Sequence, residues 1–197
     1  MTDAHDPHSA NQAASPAPDI AALTDRIDRP VVLVGLMGVG KSTVGRRLAA
    51  LIGRGFIDAD DAIEDAAQRK IPEIFEEFGE AYFRDGERRV IARLMEENHG
   101  VIATGGGAFV DPETRALILE KGIAVWIDCD IDILVERTSR RNTRPLLNTG
   151  DPREILTRLL EERAPLYAEA PVRVQSDQGP HNETAQAIVQ GIKEHLS

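Results

Sequence analysis

Five short β-prone runs alternate with helical patterns along most of this chain. The runs occupy residues 31–34, 56–60, 101–104, 124–127 and 172–175. Between them, apolar residues recur every three or four positions, which is the period of an amphipathic helix. Strands that alternate with helices are typical of a parallel sheet whose connections cross over its faces. The pattern therefore predicts an α/β fold with five parallel strands.

Two segments depart from this alternation. Residues 1–25 are rich in Ala, Pro, Ser, Asp and His and show no apolar period, so they cannot bury enough surface to offset their ordering entropy. We expect a disordered tail there, followed by a single domain over 26–197. Residues 61–98 are almost wholly helical and exceed the length of one crossover helix, which makes them a natural platform for a second substrate.

A glycine-rich turn follows the first strand. Residues 35–42 read Gly-Leu-Met-Gly-Val-Gly-Lys-Ser, the spacing of a phosphate-binding P-loop between a strand and a helix. Glycines at three positions let successive backbone N–H groups converge on one phosphate. Lys41 stands where the helix begins, so its charge and the helix dipole act on the same β- and γ-phosphate oxygens. The strand before the turn and the helical pattern after it disfavour a chance match.

Two carboxylates lie two residues apart in the second run. In extended chain, Asp58 and Asp60 point the same way, toward the crevice at the strand end where open parallel sheets bind ligands. The alternative is that Asp60 or Asp61 merely caps a helix starting at Ala62. The P-loop one strand away favours a functional role.

Two further features, an Arg–Glu pair and a run of three glycines, each have a functional and a purely structural interpretation. Arg84 and Glu87 are three residues apart on a predicted helix, so the carboxylate could orient the guanidinium, although the two residues taken alone favour a solvated ion pair. Three glycines at 105–107 follow the third strand and expose backbone N–H groups. They indicate an anion or hydroxyl site, or only a tight turn.

Arginines cluster between residues 137 and 144, although the chain has a formal net charge of -10. That net charge argues against a nucleic-acid or membrane-surface binder. The cluster is either a solvated basic face or part of a lid that brings arginines onto phosphates after ATP binds. We predict such a lid over 138–152.

The remaining composition bounds the compartment. The single cysteine, Cys129, excludes an internal disulfide, and its position in an apolar pattern predicts a buried small side chain. Trp126 is likewise predicted in the core. Neither a secretory signal nor an apolar run of about eighteen residues is seen, so we expect a cytoplasmic protein.

Taken together, the ordered motifs resemble those of the shikimate kinases. They are Gly-Leu-Met-Gly-Val-Gly-Lys-Ser-Thr at 35–43, Phe-Ile-Asp-Ala-Asp at 56–60, Phe-Arg-x-x-Glu at 83–87, Gly-Gly-Gly at 105–107, Arg-Pro-Leu-Leu at 144–147 and Arg-x-Pro-Leu-Tyr at 163–167. The resemblance implies transfer of the ATP γ-phosphoryl group to the 3-hydroxyl of shikimate, on the route to chorismate and the aromatic amino acids. It also implies a three-layer α/β/α P-loop kinase fold with strand order 2-3-1-4-5, and it assigns 61–98 to shikimate binding.

The resemblance further implies a role for each site residue. The ATP-binding residues would be Gly38, Val39, Gly40, Lys41, Ser42, Thr43, Arg137 and Arg144. One Mg²⁺ ion would bind Ser42 directly and Asp58 through water. Lys41 and the lid residue Arg144 would act on the transferring phosphate, while Asp60 orients or deprotonates the attacking hydroxyl.

The acceptor side would be formed by a second set of residues. The resemblance assigns shikimate binding to Asp60, Arg84, Gly106 and Arg163, with the arginines chiefly on its carboxylate. Gly86 departs from this pattern, because glycine inside a helix costs about 1 kcal/mol relative to alanine. It predicts a kink beside Arg84.

Two rival functions remain open on the sequence. A gluconate kinase of the same fold would share the P-loop but would not be expected to carry Asp58, Asp60, Arg84 and Arg163 together. A non-catalytic nucleotide-binding module would require neither Asp60 nor Arg144. As a kinase, the chain is expected to act as a monomer on ATP and shikimate, with no nucleic acid or membrane partner.

Overall fold

The computed structural model describes residues 18–97, 100–139, 150–177 and 179–197. Within them, five strands alternate with helices as the pattern predicts. The strands are β1 Val31–Val34, β2 Phe56–Asp58, β3 Val101–Ala103, β4 Ile123–Asp128 and β5 Val172–Gln175. The helices are α1 Pro18–Arg26, α2 Lys41–Leu51, α3 Ala59–Ala67, α4 Ile71–Glu97, α5 Pro112–Lys121, α6 Ile131–Ser139, α7 Pro152–Tyr167 and α8 His181–His195.

The five strands form one parallel sheet in the order β2-β3-β1-β4-β5, which confirms the expected order. β1 is the central strand, and each of its four residues is fully buried, because helices cover both faces of the sheet. Trp126 and Cys129 also lie in the core, as predicted. This order brings the ends of β1, β2 and β3 side by side, next to the P-loop.

The first ordered helix lies where we expected disorder. α1 spans Pro18–Arg26, and Leu23 is buried in the main core. The Thr24 hydroxyl donates to the Ile52 carbonyl at 3.0 Å, and an Arg54 nitrogen donates to the Thr24 carbonyl at 2.9 Å. The prediction of a tail through residue 25 was therefore wrong for residues 18–25. Ile20, Leu23 and Ile27 recur at helical spacing and lie in or against the core, which is the apolar signal that the prediction missed.

The helical insertion consists of α3 and α4. A small apolar cluster of Ile63, Ile74 and Phe83 holds the two helices together. α4 is broken at Gly79, whose φ of 80° and ψ of 175° are not helical. The kink predicted at Gly86 was wrong, because the helix runs through that residue.

Two helices begin next to a proline. Asp111 caps α5, since its carboxylate accepts from the Thr114 N–H at 2.8 Å, and Pro112 is the first residue of that helix. α8 begins at His181 with Pro180 at the N-cap. Proline suits such positions because its fixed φ is close to the helical value and it has no N–H to leave unpaired.

The proposed lid is described only at its two ends. Ser139 completes α6, and Asp151 caps α7, which begins at Pro152. Residues 140–149, including Arg144, lie outside the described part of the chain. Across the described ranges, no helix is both long and apolar enough to cross a membrane.

Candidate active site

The P-loop connects the central strand β1 to α2. Gly35, Gly38 and Gly40 have φ values of 134°, 89° and 93°, which side chains with a Cβ rarely adopt. At Gly35 the space is closed as well, because a Cβ there would overlap the Ile127 carbonyl oxygen. These positions therefore require glycine, and the turn brings its backbone to the start of α2 in the way the spacing predicts.

Lys41 is the first residue of α2, and its ammonium group reaches back across the loop. The Nζ atom donates to the Gly35 carbonyl at 2.7 Å and to the Leu36 carbonyl at 2.9 Å. Only 9% of the residue is exposed. These hydrogen bonds hold the cation inside the loop, at the N-terminus of α2 where anions bind.

Asp58 does not share an extended strand with Asp60, so that prediction was wrong. β2 ends at Asp58, and its Oδ1 accepts from the Asp60 N–H at 3.1 Å as the N-cap of α3. The cap is thus Asp58 rather than Asp60 or Asp61. Its second oxygen, Oδ2, accepts from the Ser42 hydroxyl at 2.6 Å. One carboxylate therefore links the P-loop helix to the helix that carries Asp60.

Asp60 lies in the first turn of α3 in a crowded acidic environment. Burial raises the pKa of its carboxyl group, and the charge of Asp58 raises it further, while Lys41 lowers it. A carboxylate whose ionised form is disfavoured holds a proton more readily than one in water. Asp60 is accordingly the group in this site best suited to accept a proton from a neighbouring hydroxyl.

The loop of three glycines is where the other elements meet. A Cβ on Gly105 would lie 2.8 Å from an Asp60 oxygen and 3.2 Å from a Glu87 oxygen. A Cβ on Gly106 would lie 3.3 Å from the Met37 nitrogen of the P-loop, and one on Gly107 would lie 2.9 Å from the Arg84 guanidinium carbon. The P-loop backbone and the side chains of Asp60, Glu87 and Arg84 thus lie close to this loop, where a larger residue would crowd them.

Arg84 is held by a buried carboxylate. Its Nη1 atom lies 2.6 Å from Oε2 of Glu87, which is 1% exposed, whereas Glu80 is a more distant and solvated neighbour at 3.4 Å. Burial raises the pKa of Glu87, and the charge of Arg84 opposes that shift. The solvated ion pair considered from the sequence is thus excluded, and the orienting role fits the geometry.

Arg163 reaches the same loop from α7. Its Nη1 atom donates to the Gly106 carbonyl at 3.1 Å, and the Tyr167 hydroxyl donates to that oxygen at 2.6 Å. No role was predicted for Tyr167 from the sequence. Its spacing of four residues from Arg163 on one helix was the signal that could have indicated it.

Arg137 lies on the other side of the P-loop, away from the glycine loop. Its guanidinium donates to the Asp177 carbonyl at 2.6 Å, to the Ser176 hydroxyl at 3.2 Å and to the Val39 carbonyl at 3.4 Å. Ser176 was missed in the sequence, although it directly follows β5 at the ligand-binding edge of the sheet. Arg137 thus joins the P-loop to the β5–α8 connection, where a nucleotide base could lie against it.

The oxygen atoms near the P-loop suit a magnesium ion. The Ser42 hydroxyl and an Asp58 carboxylate oxygen are 2.6 Å apart, and both are the hard oxygen donors that Mg²⁺ prefers. Two protein oxygens leave room for the water and phosphate ligands that Mg²⁺ usually keeps. The residues present therefore fit the ion.

Comparison with known proteins places this site in a family. The shikimate kinase family model matches residues 37–193. Shikimate kinase from Novosphingobium aromaticivorans is 59% identical over 182 residues, covering 90% of this chain and 94% of that protein. Shikimate kinase from Caulobacter vibrioides is 55% identical over 166 residues, covering 84% of this chain and 83% of that protein.

Solved structures agree with these matches. Shikimate kinase from Acinetobacter baumannii, solved in complex with shikimate, has 41% identity and a TM-score of 0.80, covering 84% of this chain and 93% of that one. A gluconokinase from Sinorhizobium meliloti, at 18% identity and a TM-score of 0.58, covers 84% of this chain and 91% of that one and shares the fold alone. This chain belongs to the shikimate kinase family.

Proposed function

We propose that this chain transfers the γ-phosphoryl group of ATP to the 3-hydroxyl of shikimate, with the glycine loop 105–107 as the meeting point of the two substrates. Membership of the family makes it an ATP-dependent kinase of shikimate, in the biosynthesis of aromatic amino acids. The observation that supports the assignment of residues is that three side chains converge on this loop: Arg163 donates to the Gly106 carbonyl, and Asp60 and Arg84 lie where a Cβ on Gly105 or Gly107 would crowd them.

The nucleotide side of the proposed site is the P-loop. Backbone N–H groups of residues 38–43 surround the phosphates, and Lys41 neutralises the β- and γ-phosphate oxygens. Ser42 would hold a Mg²⁺ ion directly, and Asp58 would hold its water ligands. When bound, the ion offsets charge on the phosphate oxygens. Arg137 lies against the adenine. Arg144, the residue that we assign to the transferring group, is outside the described residues.

The acceptor side of the proposed site binds an organic anion. Shikimate carries a carboxylate, and planar guanidinium groups such as those of Arg84 and Arg163 match that shape with two parallel hydrogen bonds. Glu87 keeps Arg84 in one orientation. Asp60 then lies beside the hydroxyls of the ring, where it orients the attacking oxygen and accepts its proton.

Several wider properties belong to the same proposal. We place the enzyme in the cytoplasm as a monomer that binds small molecules and neither nucleic acid nor membrane. The formal net charge of -10 supports the last point, because binding to polyanionic surfaces favours a basic protein.

The proposal is tested by a coupled assay of ADP release with Mg-ATP and three acceptor conditions. ADP release with shikimate, and not with gluconate or with no acceptor, is expected. Stimulation by gluconate would keep the P-loop assignments and overturn those of Asp60, Arg84 and Arg163. Lack of stimulation by either acceptor would favour a nucleotide-binding module.

A matched variant makes the assay sharper. Lys41→Ala removes the cation from the loop and leaves the rest of the sheet and helices in place. We expect it to abolish turnover while the melting temperature stays close to that of the parent protein. Unchanged turnover would refute the P-loop assignment.

A further inference from the structure

Tyr167 is the last residue of α7 and ends on the acceptor side of the site. Its hydroxyl donates to the Gly106 carbonyl at 2.6 Å, which is the shorter of two hydrogen bonds to that oxygen. The second donor is Arg163, one helical turn earlier on the same face of α7, at 3.1 Å. The two side chains thus share one acceptor in the middle of the glycine loop.

The core fixes the position of this hydroxyl. Tyr167 is fully buried, and its ring packs against Phe109 and Trp126 with ring-centre distances of 6.4 Å and 5.9 Å. A ring packed in this way has little freedom to move, so the position of the hydroxyl determines the position of the loop. The hydrogen bond therefore transmits the geometry of the rigid core to the loop.

The fixed position of the Gly106 carbonyl affects two groups beside it, the Gly107 N–H and the Arg163 guanidinium. Because the peptide is planar and trans, a fixed carbonyl also fixes the following N–H of Gly107, which points the opposite way. The same oxygen anchors one nitrogen of Arg163, so the remaining guanidinium donors keep a defined direction. A free Gly106 carbonyl would let both groups turn.

We infer that Tyr167 is a positioning residue for shikimate, acting through the Gly106 carbonyl and Arg163. The inference rests on the proposed role of these two residues in acceptor binding. They contact a part of the acceptor that does not react, so the bond contributes equally to binding the ground state and the transition state. Such a contribution changes KM and leaves kcat alone.

The test is steady-state kinetics of Tyr167→Phe, which removes the hydroxyl and keeps the ring. The KM for shikimate is expected to rise about fivefold, the effect of one ordinary hydrogen bond. The KM for ATP and kcat are expected to stay within about twofold of the parent values. Tyr82→Phe is a matched control, because Tyr82 is the other of the chain's two tyrosines and is 53% exposed.

A second measurement separates positioning from loss of stability. In a double-mutant cycle, Tyr167→Phe and Arg163→Lys should be coupled in the KM for shikimate, because they share one acceptor. A purely structural role would lower the melting temperature and change both KM values together, which would overturn the inference. An unchanged KM for shikimate would overturn it as well. Failure of the proposed function is distinguishable, because the parent protein would then show no shikimate-dependent ADP release.

Discussion

Arg84→Met tests whether the ion pair with Glu87 does what the geometry indicates. The variant keeps most of the side-chain volume and removes the charge that faces Glu87. The two partners differ in exposure, since 26% of the Arg84 side chain is exposed against 1% for Glu87. The substitution therefore leaves behind the more deeply buried charge of the pair.

The cost follows from that burial. Removing one partner of a buried ion pair costs about 3–5 kcal/mol, and we expect about 3 kcal/mol here, since Arg84 is partly solvated. For a domain of this size, 3 kcal/mol corresponds to a fall in melting temperature of roughly 6–12 °C.

The cost depends on pH in a defined direction. Burial raises the folded-state pKa of Glu87 above its ordinary value of 4.5, and loss of Arg84 removes the main opposing cause. Stability is then retained below the unfolded-state pKa and lost as the pH rises through the folded-state value. The variant should differ least from the parent near pH 5 and most near pH 8.

Urea denaturation at pH 5 and pH 8 measures this, together with the double variant Arg84→Met and Glu87→Met. An apolar pair of similar volume leaves no unpaired charge, so the double variant should recover most of the lost stability. Neither variant should bind shikimate well, because both lack the guanidinium. Equal stability of Arg84→Met and the parent at pH 8 would refute the reasoning, and so would a double variant less stable than the single one.

Three further variants test other parts of the site. Asp60→Asn should raise the melting temperature at pH 7, because burial and the charge of Asp58 raise the pKa of Asp60 and make its ionised form unfavourable. Turnover should fall about a hundredfold or more, and a lower melting temperature would contradict this description of Asp60. Gly107→Ala should raise the KM for shikimate about tenfold by displacing the Arg84 guanidinium, with a smaller fall in melting temperature than Arg84→Met causes, because the charge is moved and not removed. An unaltered KM would argue against this close approach. Ser42→Ala should raise the Mg²⁺ concentration for half-maximal rate about tenfold, which a magnesium titration would detect.

Features set by local spacing were predictable from the sequence. The P-loop depends on the order of glycines within eight residues, and its positive φ angles follow from that order. The alternation of strands and helices is also a local pattern, and it predicted the parallel sheet. The order of its strands was expected from the resemblance, since neither period nor propensity specifies which strands are adjacent.

Features set by distant contacts were not predictable. The Thr24 hydroxyl of α1 donates to the Ile52 carbonyl, which is 28 residues away along the chain. Gly79 and Gly86 both lie within the helical pattern of α4, yet the backbone leaves the helical conformation only at Gly79. The role of Tyr167 depends on a carbonyl 61 residues away along the chain. Such choices are decided by packing, which a single sequence does not display.

We propose that shikimate and ATP bind two separately built halves of one site. Calorimetric titration of Arg163→Ala with shikimate and, separately, with a non-hydrolysable ATP analogue distinguishes these halves. We expect at least a tenfold loss of affinity for shikimate, the effect of a charged hydrogen bond, and an unchanged affinity for the nucleotide. Equal weakening of both ligands, or full affinity for shikimate, would refute the proposal.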